Sequence, residues 1–278
     1  MAIIDLLSDH AFLLLGVMLA GILAGFAGGM FGIGGGIITV PVLYAVFQSL
    51  GIGEGPSLKT AIGTSLSVII VTSIRSLMAH HRAGHVDKEM LFAWAPWIAL
   101  GSAGGGLVAR WAPVELLTII FAGGAVYVGM RRIFPSRRSG SSEVNLLSKR
   151  LKITFGAGTG LFSSLMGLGG GAVGVLVMTM AGRPMHQAIA TSAGFGIAVA
   201  VPGVIGFIIS GWGAPGLPPT SFGFVNAAAF AAMAVTAAFA APAGARLAHR
   251  LDGALLSKVF GVYVFAAAIG LVWDVFQS

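Results

Sequence analysis

The chain has 278 residues, of which 56% are hydrophobic and 9% charged, and its net charge is +7. A soluble domain carries about 25% charged residues, so a water-soluble globular protein is excluded. The absence of cysteine excludes disulfides, thiolate metal sites and cysteine nucleophiles.

The mean hydropathy is +0.94, and apolar stretches near the 20 residues that cross a bilayer follow one another along the chain. The predicted fold is an all-α integral membrane protein with about ten transmembrane or half-membrane helices. The first five lie near 11–29, 33–50, 60–79, 90–110 and 113–133. Nothing charged precedes the first except Asp5 and Asp9, and its Gly21, Gly25 and Gly29 form the four-residue spacing of a close helix contact, so it reads as a retained span. Pro41 is expected to kink or break the second segment, as Pro202 is the eighth. Trp94, Trp97, Trp111, Trp212 and Trp273 read as interfacial anchors. His80, His81 and His85 with Arg82 read as a basic interfacial cluster, with a proton or metal site as the alternative.

Residues 134–151 form a polar, basic linker between a first repeat, 1–133, and a second, 152–278. The five segments of the second half lie near 152–167, 169–181, 188–210, 221–245 and 255–275; the one at 169–181 is short for a crossing. The positive-inside rule places the linker in the cytoplasm. If each half crosses an odd number of times, every one of the 16 basic residues except Lys59 and Arg110 falls on the cytoplasmic side. Both termini then lie outside. Charge arranged in this way orients a membrane protein and gives no reason to expect nucleic acid.

The halves also match in sequence. Gly32-Ile-Gly34-Gly35-Gly36 pairs with Gly167-Leu-Gly169-Gly170-Gly171, and Lys59-Thr-Ala-Ile-Gly-Thr64-Ser65 pairs with His186-Gln-Ala-Ile-Ala-Thr191-Ser192. Leu107-Val-Ala-Arg110 pairs more loosely with Arg246-Leu-Ala-His249. Matches in one order mark a duplication. Two halves with odd span counts and a cytoplasmic linker insert with opposite orientation, giving two inverted five-helix repeats, an architecture of alternating-access transporters.

Runs of glycine break helices, at about 1 kcal/mol per residue against alanine, and a helix that starts at such a break offers free N–H groups and a positive dipole end. Gly34, Gly35 and Gly36 with Gly169, Gly170 and Gly171 are therefore the candidate anion site. Thr64, Ser65, Thr191 and Ser192 are its candidate hydroxyl donors. Close helix packing, or hydroxyls bonded to the backbone, is the competing reading. Lys59 and His186, at equivalent positions on opposite faces, are candidate vestibule cations, with lipid-facing snorkelling as the alternative. No Asp or Glu lies deep in a predicted span, so proton coupling would run through the substrate or a histidine. No motif of a catalytic site, metal centre or cofactor is found, and no enzyme activity is expected.

Gly32-Ile-Gly-Gly-Gly-Ile-Ile-Thr-Val-Pro41, the following Ala61-Ile-Gly-Thr64-Ser65 and the second GxGGG half resemble the sulfite exporter TauE/SafE family. The resemblance implies a bacterial-type inner-membrane permease for a sulfur-containing anion: sulfite, sulfoacetate or another organosulfonate. Leu176, where the first half has Pro41, departs from exact duplication. An anion channel or a permease for a different small anion is the alternative.

Overall fold

A computed structural model describes residues 2–133, 149–180, 182–252, 255 and 262. Nine helices and one short hairpin are found among them. The first half holds α1 (Ala2–Phe31), α2 (Gly36–Ser49), α3 (Glu54–Arg82), α4 (Lys88–Val108) and α5 (Val114–Ile133). The second holds α6 (Lys149–Leu165), α7 (Gly171–Met180), α8 (Met185–Gly211), the antiparallel pair β1 (Ser221–Phe222) and β2 (Val225–Asn226), and α9 (Ala227–Arg250). Most of the linker, and all of the predicted tenth segment except Leu255 and Val262, lie outside the described residues.

Among the described residues, five helical segments are long and apolar enough to cross a bilayer: Leu13–Phe31, α3, α4, α8 and α9. Their distribution of side chains suits lipid. Leu15, Leu19, Phe92, Leu100, Ile205 and Phe239 are exposed, whereas Thr64, Ser65, Thr72, Ser102, Thr191 and Ser192 are fully buried. Hydroxyls thus fill the interior, where backbone carbonyls can accept from them.

The first helix of each half packs on the fourth helix of the other. Gly21, Gly25 and Gly29 of α1 lie against Met233, Ala237 and Ala241 of α9, and Gly244 of α9 returns the contact onto Phe26 of α1. Correspondingly, Gly156 and Gly160 of α6 lie against Trp97 and Ile98 of α4, and Gly101 and Gly105 of α4 against Ala157 and Leu161 of α6. At Gly25 and Gly160 a Cβ would run into the facing backbone, so small residues set the interhelical distance.

These contacts fix helix directions. The α1 contacts advance with those of α9, so the two helices run parallel, from the end of the molecule that holds Lys59 to the end that holds His80. Helix α2 then leads back to the start of α3 at the Lys59 end. In the same way α6 runs parallel to α4, away from the His80 end, and α7 returns to it, where Arg183 pairs with Asp87 at 3.2 Å. Segments two and seven, the short helices α2 and α7, therefore turn back toward the ends from which α1 and α6 set out.

Several expectations change. Pro41 and Pro202 do not break their segments: each lies inside a helix that continues past it, the loss of one N–H bond being absorbed without ending the helix. The ninth helix starts at Ala227, not near 221, since Asn226 caps it through Ala229 N at 2.9 Å and residues 221–226 form the hairpin. Trp94 is buried in the core and is no interfacial anchor; Trp111 and Trp212 are exposed.

Candidate functional site

The two glycine breaks meet. Gly32 and Gly167 close the ends of α1 and α6 with φ of +69° and +64°, a left-handed conformation that only glycine adopts without strain. The chain then turns into the short helices α2 and α7. The contacts are reciprocal: Gly36 faces the carbonyl of Gly167, and Gly171 faces the carbonyl of Gly32. Each break also rests on the third helix of the other half, Gly32 on Ile189 and Gly167 on Ile62, which are equivalent positions in the repeated motif. In this conformation the faces of Gly36 and Gly171 are thus covered by backbone.

Thr64 and Thr191 play matching roles. The Thr64 hydroxyl accepts from the N–H of Asn226 at 2.8 Å, and that of Thr191 accepts from the N–H of Asp87 at 3.0 Å. Asn226 and Asp87 are the residues that cap α9 and α4, the fourth helices of the opposite halves; Asp87 Oδ1 accepts from Met90 N at 3.1 Å. Each pair joins a third helix to a fourth helix across the two halves. Thr64 lies nearly three turns into α3, deeper than the one turn expected, because α3 starts at Glu54.

Ser65 and Ser192 differ. The Ser65 hydroxyl donates to Gly167 O at 3.0 Å and is hydrogen-bonded to Thr39. Counted from the breaks, Gly174 stands where Thr39 does. Ser192 Oγ sits against Gly174, fully buried and without a partner among the described residues. Ser73, equally buried, also has an unpartnered hydroxyl, and Thr72 donates to Gly34 O at 3.0 Å. The second break is therefore short of hydrogen-bond partners where the first is satisfied.

The two ends of the molecule carry different cations. At one, Lys59 Nζ donates to Arg110 O at 2.8 Å and lies 5.9 Å from the Phe224 ring centroid. At the other, His186 Nε2 lies 3.1 Å from Leu251 O, near His85, and His85 stacks on His249 at 4.8 Å. His80 is buried, not interfacial. Its Nδ1 lies 3.1 Å from His249 Nε2 and its Nε2 lies 3.1 Å from Gly29 O. Among the described residues no group of three or more His, Asp or Glu side chains has metal-binding geometry. A separate groove of 590 Å³ between α5, α6 and α7 is lined by apolar groups such as Ile119, Phe155, Phe162 and Met166.

Sequence reasoning missed Thr39, Asp87, Asn226 and His249. Asp87 and Asn226 had a visible signal, since each is a capping residue type ahead of a fourth span. His249 had a weaker one, its alignment with Arg110.

The Sulfite exporter TauE/SafE family matches residues 17–271. A probable membrane transporter protein of Haemophilus influenzae is 33% identical over 91% of this chain and 96% of its own. One from Methanocaldococcus jannaschii is 28% identical over 69% of this chain and 71% of its own. Another, from Xylella fastidiosa, is 28% identical over 93% and 95%. No solved structure matches. The helix-rich, lipid-suited architecture, the paired glycine breaks and this coverage agree, and the chain belongs to the sulfite exporter TauE/SafE family of membrane transporters.

Proposed function

We propose that the chain is a secondary transporter that carries a small sulfur-containing anion, sulfite, sulfoacetate or another organosulfonate, by alternating access. The anion binds between the two glycine breaks when they separate. It then meets the amino-terminal N–H groups of α2 and α7 together with the hydroxyls of Ser65 and Ser192. The observation that carries this reading is the meeting of the breaks beside the unpartnered, buried Ser192 hydroxyl. A buried hydroxyl without a partner costs about 1–3 kcal/mol, and an oxyanion would supply the missing acceptor.

Residues 1–133 and 152–278 act as inverted repeats in this reading. Support comes from the exchange of partners: α1 with α9, α6 with α4, Thr64 with Asn226 and Thr191 with Asp87. An exchange of this kind lets one set of contacts be traded for its mirror as access switches. The Lys59 end faces outward and the His80 end, with linker 134–151, faces the cytoplasm of a bacterial-type cell whose inner membrane holds the protein. Both termini are then outside.

Reconstitution into liposomes with sulfite, sulfoacetate, taurine, sulfate and chloride tests the reading. Saturable flux of a sulfur-containing anion, with counterflow, is expected. Conductance at single-channel rates would assign a channel, and movement of none of the panel would remove the substrate assignment.

A further inference from the structure

Four histidines meet at the His80 end: His80 from α3, His85 from the turn after it, His186 from α8 and His249 from α9. The geometry of two of them determines where hydrogens sit. A carbonyl only accepts, so His80 Nε2, 3.1 Å from Gly29 O, carries a hydrogen. In neutral His80 the other nitrogen, Nδ1, is then an acceptor. Its neighbour at 3.1 Å, His249 Nε2, must donate to it. Neutral His249 is left with its lone pair on Nδ1, and that atom is buried with no hydrogen-bond partner among the described residues. The relay from Gly29 through His80 to His249 thus ends in a basic nitrogen that no described residue uses.

Among the described residues no carboxylate is hydrogen-bonded to that nitrogen. His85 stacks on His249, and His186 lies beyond it. From α1 the pair meets Gly29, which has no charge. The charged and titratable residues on the other elements at this end, His81 and Arg82 of α3, Lys88 and Glu89 of α4, Arg246 and Arg250 of α9 and Asp252 after it, are all exposed. Asp87 is engaged by Arg183. A charged His249 would therefore hold a buried Nδ1–H without an acceptor, a costly state. An anion entering from this end supplies both the negative charge and the acceptor. At the opposite end the equivalent positions are Lys59 and Arg110, whose charge does not depend on a proton in the physiological range.

We propose that His249, held by His80, is a proton-binding residue that takes up a proton at Nδ1 when an anion binds from the His80 end. The inference rests on the anion reading above and adds the site of linkage. The proton comes from the water at that end, forms an N–H bond on His249 Nδ1, and is released when the anion leaves. No oxidant or further reactant is involved.

The test uses sulfoacetate, whose charge is constant between about pH 6 and about pH 8, so that any proton uptake belongs to the protein. Purified full-length protein in weakly buffered detergent solution is mixed with sulfoacetate and the pH followed with an indicator dye. Uptake of up to one proton per bound anion is expected, with affinity at least about fivefold higher at pH 6 than at pH 8; the protonated fraction of an ordinary imidazole changes about 25-fold over that range. His249→Gln keeps an amide donor toward His80 but has no basic nitrogen. It should bind without proton uptake and with a flat pH profile. Binding by the wild type without uptake, or unchanged uptake by His249→Gln, overturns the proposal and leaves the anion reading standing. Absence of binding to any anion of the panel removes the anion reading and this proposal with it. If His249→Gln does not fold, histidine-selective ¹⁵N NMR of the wild type decides: sulfoacetate must protonate one of the six imidazoles, and unchanged rings overturn the site.

Discussion

Ser65 and Ser192 begin the same duplicated motif step but end in different environments, because Thr39 faces one and Gly174 the other. Their neighbours Thr64 and Thr191 are more alike, each accepting one cap N–H of the opposite half. Thr64→Val and Thr191→Val should each leave a buried N–H unpaired and lower stability by about 1–3 kcal/mol. Thr60→Ala, which removes a hydroxyl without a partner, should be milder. Thermal unfolding midpoints in detergent measure the contrast, and equal losses at Thr60 and Thr64 would contradict the assigned bonds. At this scale the sequence marked Thr64, Ser65, Thr191 and Ser192 as a matched set. It could not show which were satisfied, since their partners lie about 100 or more residues away and no local pattern encodes such contacts.

Among elements, the glycines of α6 sort by face. Gly160 lies against Ile98 and Ser102, whereas Gly158 has open space beside it and borders the apolar groove. Gly160→Leu should destabilise the protein by about 1–3 kcal/mol or more through overpacking, and Gly158→Leu should be tolerated. Melting curves of the two variants read this directly; similar loss in both would mean that α6 does not pack on α4 as described. Glycine spacing made the α1 contact legible in advance, and Gly21, Gly25 and Gly29 do face a neighbouring helix. The partner, α9, was not legible, because spacing marks a face and not what covers it. Of the kink or break expected at Pro41, the break does not occur: one N–H is lost and the helix continues from Gly36 to Ser49. Trp94 likewise has the residue type of an interfacial anchor and the position of a core residue.

For the molecule as a whole, the turning back of α2 and α7 keeps the expected charge orientation. The natural absence of cysteine makes single-cysteine labelling clean. Ser49→Cys and Trp212→Cys should react with an impermeant maleimide from outside the cell. Ala83→Cys and Pro184→Cys should react only after the cytoplasmic face is opened. Labelling of Pro184→Cys from outside would contradict the return of α7 to the His80 end. Hydropathy marked the order of the segments and charge their expected sidedness, but neither shows how far a short segment reaches, which depends on where the glycine breaks pack.

Alternating access at the breaks is most directly tested with Ser192→Cys, since this position is buried in the conformation described and lies beside α7 at the candidate site. A small charged methanethiosulfonate reagent should modify it from either face of the membrane, and sulfoacetate should slow both reactions. Modification from one face alone, or from both with no protection by the anion, would contradict a single central site exposed in turn to each side.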